Sequence, residues 1–226
     1  MVINPKIVVT DDGSNTLVHP TIGAHYHSTF GAKQESDFIF IQEGIDFYVK
    51  KLDVKSVSIL EMGFGSGLNA YNTLLYGLEH NISINYCGIE KYPIDVKLIS
   101  ELDYPKILNS ENTANLFQNM HTSKWEEYSE ISKEFQLKKI NKSLGNIDLE
   151  EKFDIIYFDA FGPKDQPELW SVSVFEKMFS LLNTNGILVT YCSKGIVKNA
   201  LRAVGFDLQR LAGPPSKRHI LRATKL

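Results

Sequence analysis

The chain has 226 residues, with 24 lysines and arginines against 27 acids for a net charge of −3, and it is 43% hydrophobic and 23% charged. That length and balance suit one sizeable globular domain and exclude a disordered or fibrous chain. No run approaches the 18 or more apolar residues of a membrane-spanning helix, residues 1–6 lack the charged start and apolar centre of a signal peptide, and Cys87 and Cys192 are the only cysteines, so no membrane, disulfide framework or structural zinc is expected and the location is read as cytoplasmic.

Residues 1–50 read as short extended pieces and turns followed by an amphipathic run over 39–52. We expect 1–52 to form an N-terminal lid packed on a main domain, 53–226. His25 and His27 stand two apart without a nearby third ligand, which does not make a metal site. From 57 onward strands (57–62, 82–90, 135–140, 153–159, 186–192, 206–211, 217–224) alternate with helices (67–78, 93–102, 170–182, 194–204). Alternation of this kind predicts a mostly parallel α/β sheet with helices on both faces. Only a short Gly213-Pro214-Pro215 connection precedes the last strand, too little for a parallel crossover, so that strand should run antiparallel.

The sharpest signal is Ser58-Ile-Leu-Glu61-Met-Gly63-Phe64-Gly65-Ser-Gly67-Leu-Asn69, an apolar strand entering a glycine-rich turn. Alternating glycines admit backbone conformations closed to other residues and let a ligand approach the main chain. The spacing departs from the G-x-G-x-x-G of dinucleotide sites and lacks the Lys-Ser/Thr ending of a triphosphate loop; taken alone, it is also compatible with a plain strand-to-helix turn. Glu90 ends the second strand 23 residues beyond Gly67, where a carboxylate can hold ribose hydroxyls; its alternative is a solvated acid opening the helix at Pro93. Asp159 closes the fourth strand, beside the reactive centre or as a turn acid in a loop with Gly162, Pro163 and Pro167. All four arginines lie beyond residue 200, and residues 191–226 carry eight cations against Asp207 alone. That balance of +7 on an acidic remainder of −10 can steer a polyanion, or its cations can pair with the acidic body.

A chiefly parallel sheet with one closing antiparallel strand resembles the Rossmann-like class I S-adenosylmethionine-dependent methyltransferases, here with seven strands. The set Glu61-x-Gly-Phe-Gly-Ser-Gly-Leu-Asn69, Glu90-Lys-Tyr-Pro93, Asp159-Ala-Phe-Gly-Pro163 with Gln166-Pro-Glu-Leu-Trp170, and Gly213-Pro-Pro-Ser-Lys-Arg218 is more particular. It resembles the methyltransferase domain of the MnmC family and its stand-alone form, MnmD, over nearly the whole chain, because Gly23-Ala-His-Tyr26-His-Ser28 and Glu35-Ser36 resemble that family's N-terminal motifs. The resemblance implies methylation of the 5-aminomethyl group on the wobble uridine of tRNA, giving 5-methylaminomethyl-(2-thio)uridine, with S-adenosyl-L-methionine as cofactor and the anticodon loop as partner. Bifunctional relatives carry a further oxidoreductase domain, which this chain, stopping at Leu226, is expected to lack; no metal is expected, and a monomer is the default.

The resemblance also assigns roles. Glu61, Gly63, Phe64, Gly65, Gly67, Asn69, Glu90 and Asp159 would surround the cofactor, and Asp159 would orient the amine or accept its proton. Tyr26, Ser28 and Phe161 would meet the uridine, with Trp170 and Phe30 as further aromatic candidates, and Lys217 and Arg218 would hold phosphates. The chain departs from the family at Lys142-Ser143, where a Gly-Asp pair usually contacts adenine, leaving Ser143 or Asp148 as substitutes. Rival readings on the same sheet are a small-molecule methyltransferase, an aminopropyltransferase, or a non-catalytic RNA-binding module.

Overall fold

The computed structural model describes residues 5–143, 147–215 and 217–226. Strands β1 (Lys6–Val9) and β2 (Asn15–Val18) form an antiparallel hairpin. Asp12 closes its turn, accepting from the Thr10 hydroxyl at 2.7 Å and the Ser14 N–H at 3.0 Å, the local pairing that makes Asp a turn residue. One helical run follows: α1 (Ala32–Glu35), a π-wound middle (Ser36–Asp46) and α2 (Phe47–Leu52).

The main sheet contains β3 (Ser56–Met62), β4 (Ser83–Ile89), β5 (Tyr128–Ser132), β6 (Phe135–Ile140), β7 (Phe153–Phe158), β8 (Leu182–Thr190), β9 (Asp207–Ala212) and β10 (His219–Thr224). Their order is β5-β6-β4-β3-β7-β8-β10-β9. The five central strands run parallel. β10 is antiparallel to both neighbours and β5 is antiparallel to β6. The sheet therefore has eight strands with two antiparallel members, where seven with one were expected. The extra strand, β5, is a short edge whose single buried residue is Ile131, so no apolar run announces it.

Helices α3 (Leu68–His80), α4 (Val96–Ser100), α5 (Tyr104–Ile107), α6 (Ala114–Thr122), α7 (Val172–Leu181) and α8 (Gly195–Val204) cover the sheet. The expected helix 93–102 shortens to α4, capped by the Asp95 carboxylate on the Lys97 N–H at 2.8 Å, and α5 and α6 were not read from the sequence. Among the described residues no helix is long and apolar enough to cross a membrane.

Successive strand residues point to opposite faces, so Ile59, Ile155 and Ile187 enter one core while Leu60, Ile156 and Leu188 enter the other. That double burial explains why these strands read as unbroken apolar runs. The Ser36–Asp46 segment buries Ile39, Phe40 and Ile45 in the first core, with the Phe40 ring 5.1 Å from Tyr157, while α7 and α8 cover the second through Phe175, Met178, Val197 and Leu201. At the amino ends of the strands Asp154 joins β7 to β3, accepting from the Ser58 N–H at 2.8 Å and the Ser58 hydroxyl at 2.9 Å. The carboxyl ends diverge around β3, whose neighbours β4 and β7 receive the chain on opposite sides, and a crevice opens where strand order reverses.

Candidate functional site

Beyond Met62 the chain turns through Gly63, Gly65 and Gly67, with φ of 93°, 51° and 74°. The Gly63 and Phe64 N–H groups both donate to the Ile89 carbonyl at 3.0 Å, strapping the turn to the end of β4. A Cβ on Gly63 would stand 2.8 Å from the Asp159 carbonyl oxygen, and one on Gly65 would stand 3.0 Å from the Tyr26 ring. Positive φ and close approach together leave no room for another residue at these two positions. Glu90 then meets the turn: its carboxylate accepts from the Gly65 N–H at 2.9 Å and the Tyr92 N–H at 2.7 Å. Burial raises its proton affinity, and these backbone donors offset part of the rise.

A second polar group sits beside the turn. The Asn69 side-chain amide donates to Glu61 at 3.0 Å and to Asp159 at 2.8 Å, while the Asp159 N–H donates to the Met62 carbonyl at 3.0 Å. Burial pushes Glu61 up to about 8 against the opposing hydrogen bond from Asn69. Asp159 is also raised well above the usual carboxylate range, first by burial and then by Glu35 and Glu61, with Asn69 and Lys217 opposing. Glu61 Oε2 and Asn69 Oδ1 are buried without a hydrogen-bond partner among the described residues.

A cavity of ≈ 320 Å³ opens over these groups. Of the residues read from the sequence, Gly63, Phe64, Gly65, Asn69, Glu90, Asp159, Tyr26 and Phe161 line it. The Tyr26 and Phe161 rings meet edge to face at 5.1 Å, and His19 packs against both and against Tyr92. Gly67 sits behind them as the residue capping α3, and Glu61 lies 1% exposed, touching the cavity only through Asn69. Trp170 is buried, and its indole N–H fixes the Phe161 carbonyl at 2.8 Å; it supports the aromatic wall from behind, while Phe30 is exposed. Lys142 and Ser143 line the cavity, whereas Asp148 is exposed outside its lining.

Two residues depart from the roles expected of them. Ser28 stands outside the cavity lining and gives its N–H to Glu35 at 2.8 Å. Lys217 turns inward, with its ammonium 2.7 Å from Glu35 and 4.8 Å from the Tyr191 ring centre; withdrawing that ammonium would leave the buried Glu35 carboxylate without its counter-charge. Arg218 stays exposed, as do Lys194, Arg202 and Arg210, while Arg222 pairs with Glu43 at 2.9 Å and Lys225 binds the Phe179 and Leu182 carbonyls. The basic end is thus partly spent inside the fold. Tyr92, His27 and Glu35 were missed as site residues, because nothing in their local sequence says that a distant turn folds against them.

Residues 109–226 match a family described as S-adenosyl-L-methionine-dependent methyltransferase. The chain belongs to that family. Within it the chain is 26% identical over 233 residues to the "tRNA 5-methylaminomethyl-2-thiouridine biosynthesis bifunctional protein MnmC" of Burkholderia thailandensis, covering 97% of this chain and 35% of that protein. The protein of the same name from Actinobacillus pleuropneumoniae serotype 5b is 27% identical, with 93% and 34% covered. This methyltransferase therefore spans about a third of the length of these curated relatives. The crystal structure of MNMC2 from Aquifex aeolicus superposes with a TM-score of 0.74 at 25% identity, covering 97% of this chain and 69% of that one. Spermidine synthase from Thermotoga maritima shares the fold, with a TM-score of 0.53 at 12% identity.

The residues present in the methyltransferase fit its cofactor. Gly63, Phe64 and Gly65 bring main chain to the cavity wall, Glu90 stands just beyond β4, and Lys91, Tyr92, Lys142 and Ser143 continue the lining past it. When bound, S-adenosylmethionine supplies an electrophilic methyl group on a sulfonium.

Proposed function

We propose that this methyltransferase methylates the 5-aminomethyl nitrogen of a tRNA wobble uridine, giving 5-methylaminomethyl-(2-thio)uridine, and that it acts in the cytoplasm as a monomer. The observation that carries this reading is the juxtaposition of Asp159 with the Tyr26 and Phe161 rings in one cavity beside the glycine turn. An amine needs an acid to orient it, and a base drawn from a single-stranded loop needs an aromatic wall to replace its lost stacking. Similarity to MnmC proteins and to MNMC2 supports the substrate class.

The acceptor amine has to lose a proton before it can attack, and an alkylamine of lysine type holds its proton to a pKa of about 10. An ordinary carboxylate is too weak a base for that exchange. Burial strengthens Asp159, which narrows the gap between carboxylate and amine. One N–H bond of the substrate ammonium breaks and an O–H bond forms on Asp159, with the electron pair left on nitrogen. Asn69 holds the other side of the interaction by fixing the Asp159 carboxylate at 2.8 Å, so the protein's main contribution is alignment of the nitrogen with the methyl group.

The hairpin and the loop bearing Tyr26 act in this reading as the lid, and the helical run 32–52 as its anchor on the sheet. The exposed cations Lys194, Arg202, Arg210 and Arg218 provide the polyanion face. Incubation with isotopically labelled cofactor and tRNA from cells lacking this modification, followed by nucleoside mass spectrometry, tests the proposal. Label is expected in 5-methylaminomethyl-(2-thio)uridine; its absence there, with cofactor binding intact, rejects the substrate.

A further inference from the structure

The paired register of β4 and β6 ends at Ile89 and Ile140, and the Glu90 N–H adds a last rung by donating to the Ile140 carbonyl at 2.9 Å. Beyond that rung the chain continues as Glu90-Lys91-Tyr92 on one side and Lys142-Ser143 on the other, and both stretches line the cavity. Asn141 bridges them. Its side-chain Nδ2 donates to the Glu90 carbonyl at 2.9 Å and to the Lys91 carbonyl at 3.2 Å. An amide nitrogen carries two protons, one for each acceptor, whereas the flipped amide would set its oxygen against two carbonyl oxygens.

Asn141 is itself held from the outer side. Its N–H donates to Glu126 Oε1 at 2.9 Å, and the Glu126 N–H donates to the Lys139 carbonyl at 2.7 Å. Glu126 keeps a left-handed backbone with φ of 69°, which is uncommon for a residue other than glycine. These bonds tie the end of β6 to the segment before β5.

Glu90 is thereby fixed at both ends. Its main chain is tied to Ile140 and Asn141, and its carboxylate accepts from the Gly65 and Tyr92 N–H groups. Hydrogen bonds weaken steeply with misalignment, so the grip of that carboxylate on a hydroxyl depends on how the 90–91 peptides are turned. Asn141 is exposed, and water can take its place on the two carbonyls. Water satisfies them without setting the spacing between the two chains, so the contribution of Asn141 lies in geometry more than in stability.

We propose that Asn141 is a positioning residue of the cofactor site. It locks the Glu90–Lys91 corner so that the Glu90 carboxylate meets the ribose hydroxyls, and through this strap the site selects a ribonucleoside cofactor over one lacking those hydroxyls. This role rests on Glu90 holding the ribose, and it is independent of the tRNA substrate.

Calorimetric titration of the free protein with S-adenosylhomocysteine and with its 2′,3′-dideoxy counterpart tests it. The native chain should prefer the ribose form by a factor on the order of 30, the loss expected when hydrogen bonds to a charged group are removed. N141L and N141D both lack the two donors, and each should bring that preference below about fivefold while binding the dideoxy compound within about threefold of native. Thermal melting shows whether the fold is retained. A purely structural role predicts instead that both ligands weaken equally and the preference stays at its native value; that result overturns the proposal. E90A separates the two assignments. If E90A abolishes the preference and neither Asn141 variant changes it, Glu90 holds the ribose without Asn141. A preference that survives in E90A removes the ribose contact from Glu90 and the role of Asn141 with it.

Discussion

Asn69 reaches Asp159 across 90 residues of sequence with a 2.8 Å hydrogen bond, and the same amide nitrogen donates to Glu61 at 3.0 Å. One neutral side chain therefore separates two buried acids. Replacing Asn69 by Leu removes both donors and leaves those acids without a shared partner. We expect a loss of about 2 kcal/mol in urea denaturation and a fall in kcat that exceeds any change in cofactor affinity. Unchanged stability would show that the amide carries no such burden.

Glu61 should impose a pH dependence on stability. Its folded value of about 8 lies above the unfolded value of about 4.3. The folded state therefore binds the additional proton between these values, and stability falls as pH rises through that window. Glu61→Gln removes the titration. Its stability relative to the native chain should improve by roughly 1.4 kcal/mol for each pH unit within the window. Urea melts at about pH 5 and about pH 8 measure it, and parallel curves for the two proteins would contradict the assignment.

Glu90 is held toward the cavity by the Gly65 and Tyr92 N–H groups. Glu90→Ala should weaken S-adenosylmethionine binding by about 2 kcal/mol, a factor of roughly 30 in Kd, because charge-assisted hydrogen bonds to hydroxyl groups are lost. Isothermal calorimetry gives the number. Affinity within twofold of the native value would place the ribose elsewhere.

At Gly65 the expected fault is local. Alanine there must take φ near 51° and push against the Tyr26 ring. Circular dichroism should show an intact fold destabilised by about 1 kcal/mol, whereas cofactor binding should fall below detection in the same calorimetric experiment.

The basic surface makes a prediction that separates two neighbouring residues. Arg218 is exposed and Lys217 is paired inward. Charge removal at Arg210 and Arg218 should reduce the slope of log K for tRNA against log salt by about one to two. Lys217→Met should leave that slope nearly unchanged. Equal effects from the two replacements would put Lys217 on the phosphate track after all.

Much of the chemistry was legible because it is written in local signals. The alternation of apolar runs gave the parallel sheet, the three glycines gave the turn, and an acid at the end of each apolar strand gave Glu90 and Asp159. The short edge strand β5 and helices α5 and α6 were not legible, since β5 buries only Ile131 and its polar residues carry no period. The fate of Lys217 was equally hidden. A lysine in a basic, Gly-Pro-rich segment reads as solvent-facing, and only the approach of Glu35 from the far end of the chain draws it inward.

The amino-acid order by itself determined the alternation of the central strands with their main helices, the backbone freedom at Gly63 and Gly65, and which acids terminate strands, because these depend on side-chain period and on the presence or absence of a Cβ. Tertiary structure alone decided that Asn69 joins Glu61 to Asp159, that Glu35 pairs with Lys217, and that Tyr26 closes over the glycine turn. Those facts depend on distances between segments far apart in the chain, and the protonation of a buried carboxyl is set by whichever charges the fold brings beside it.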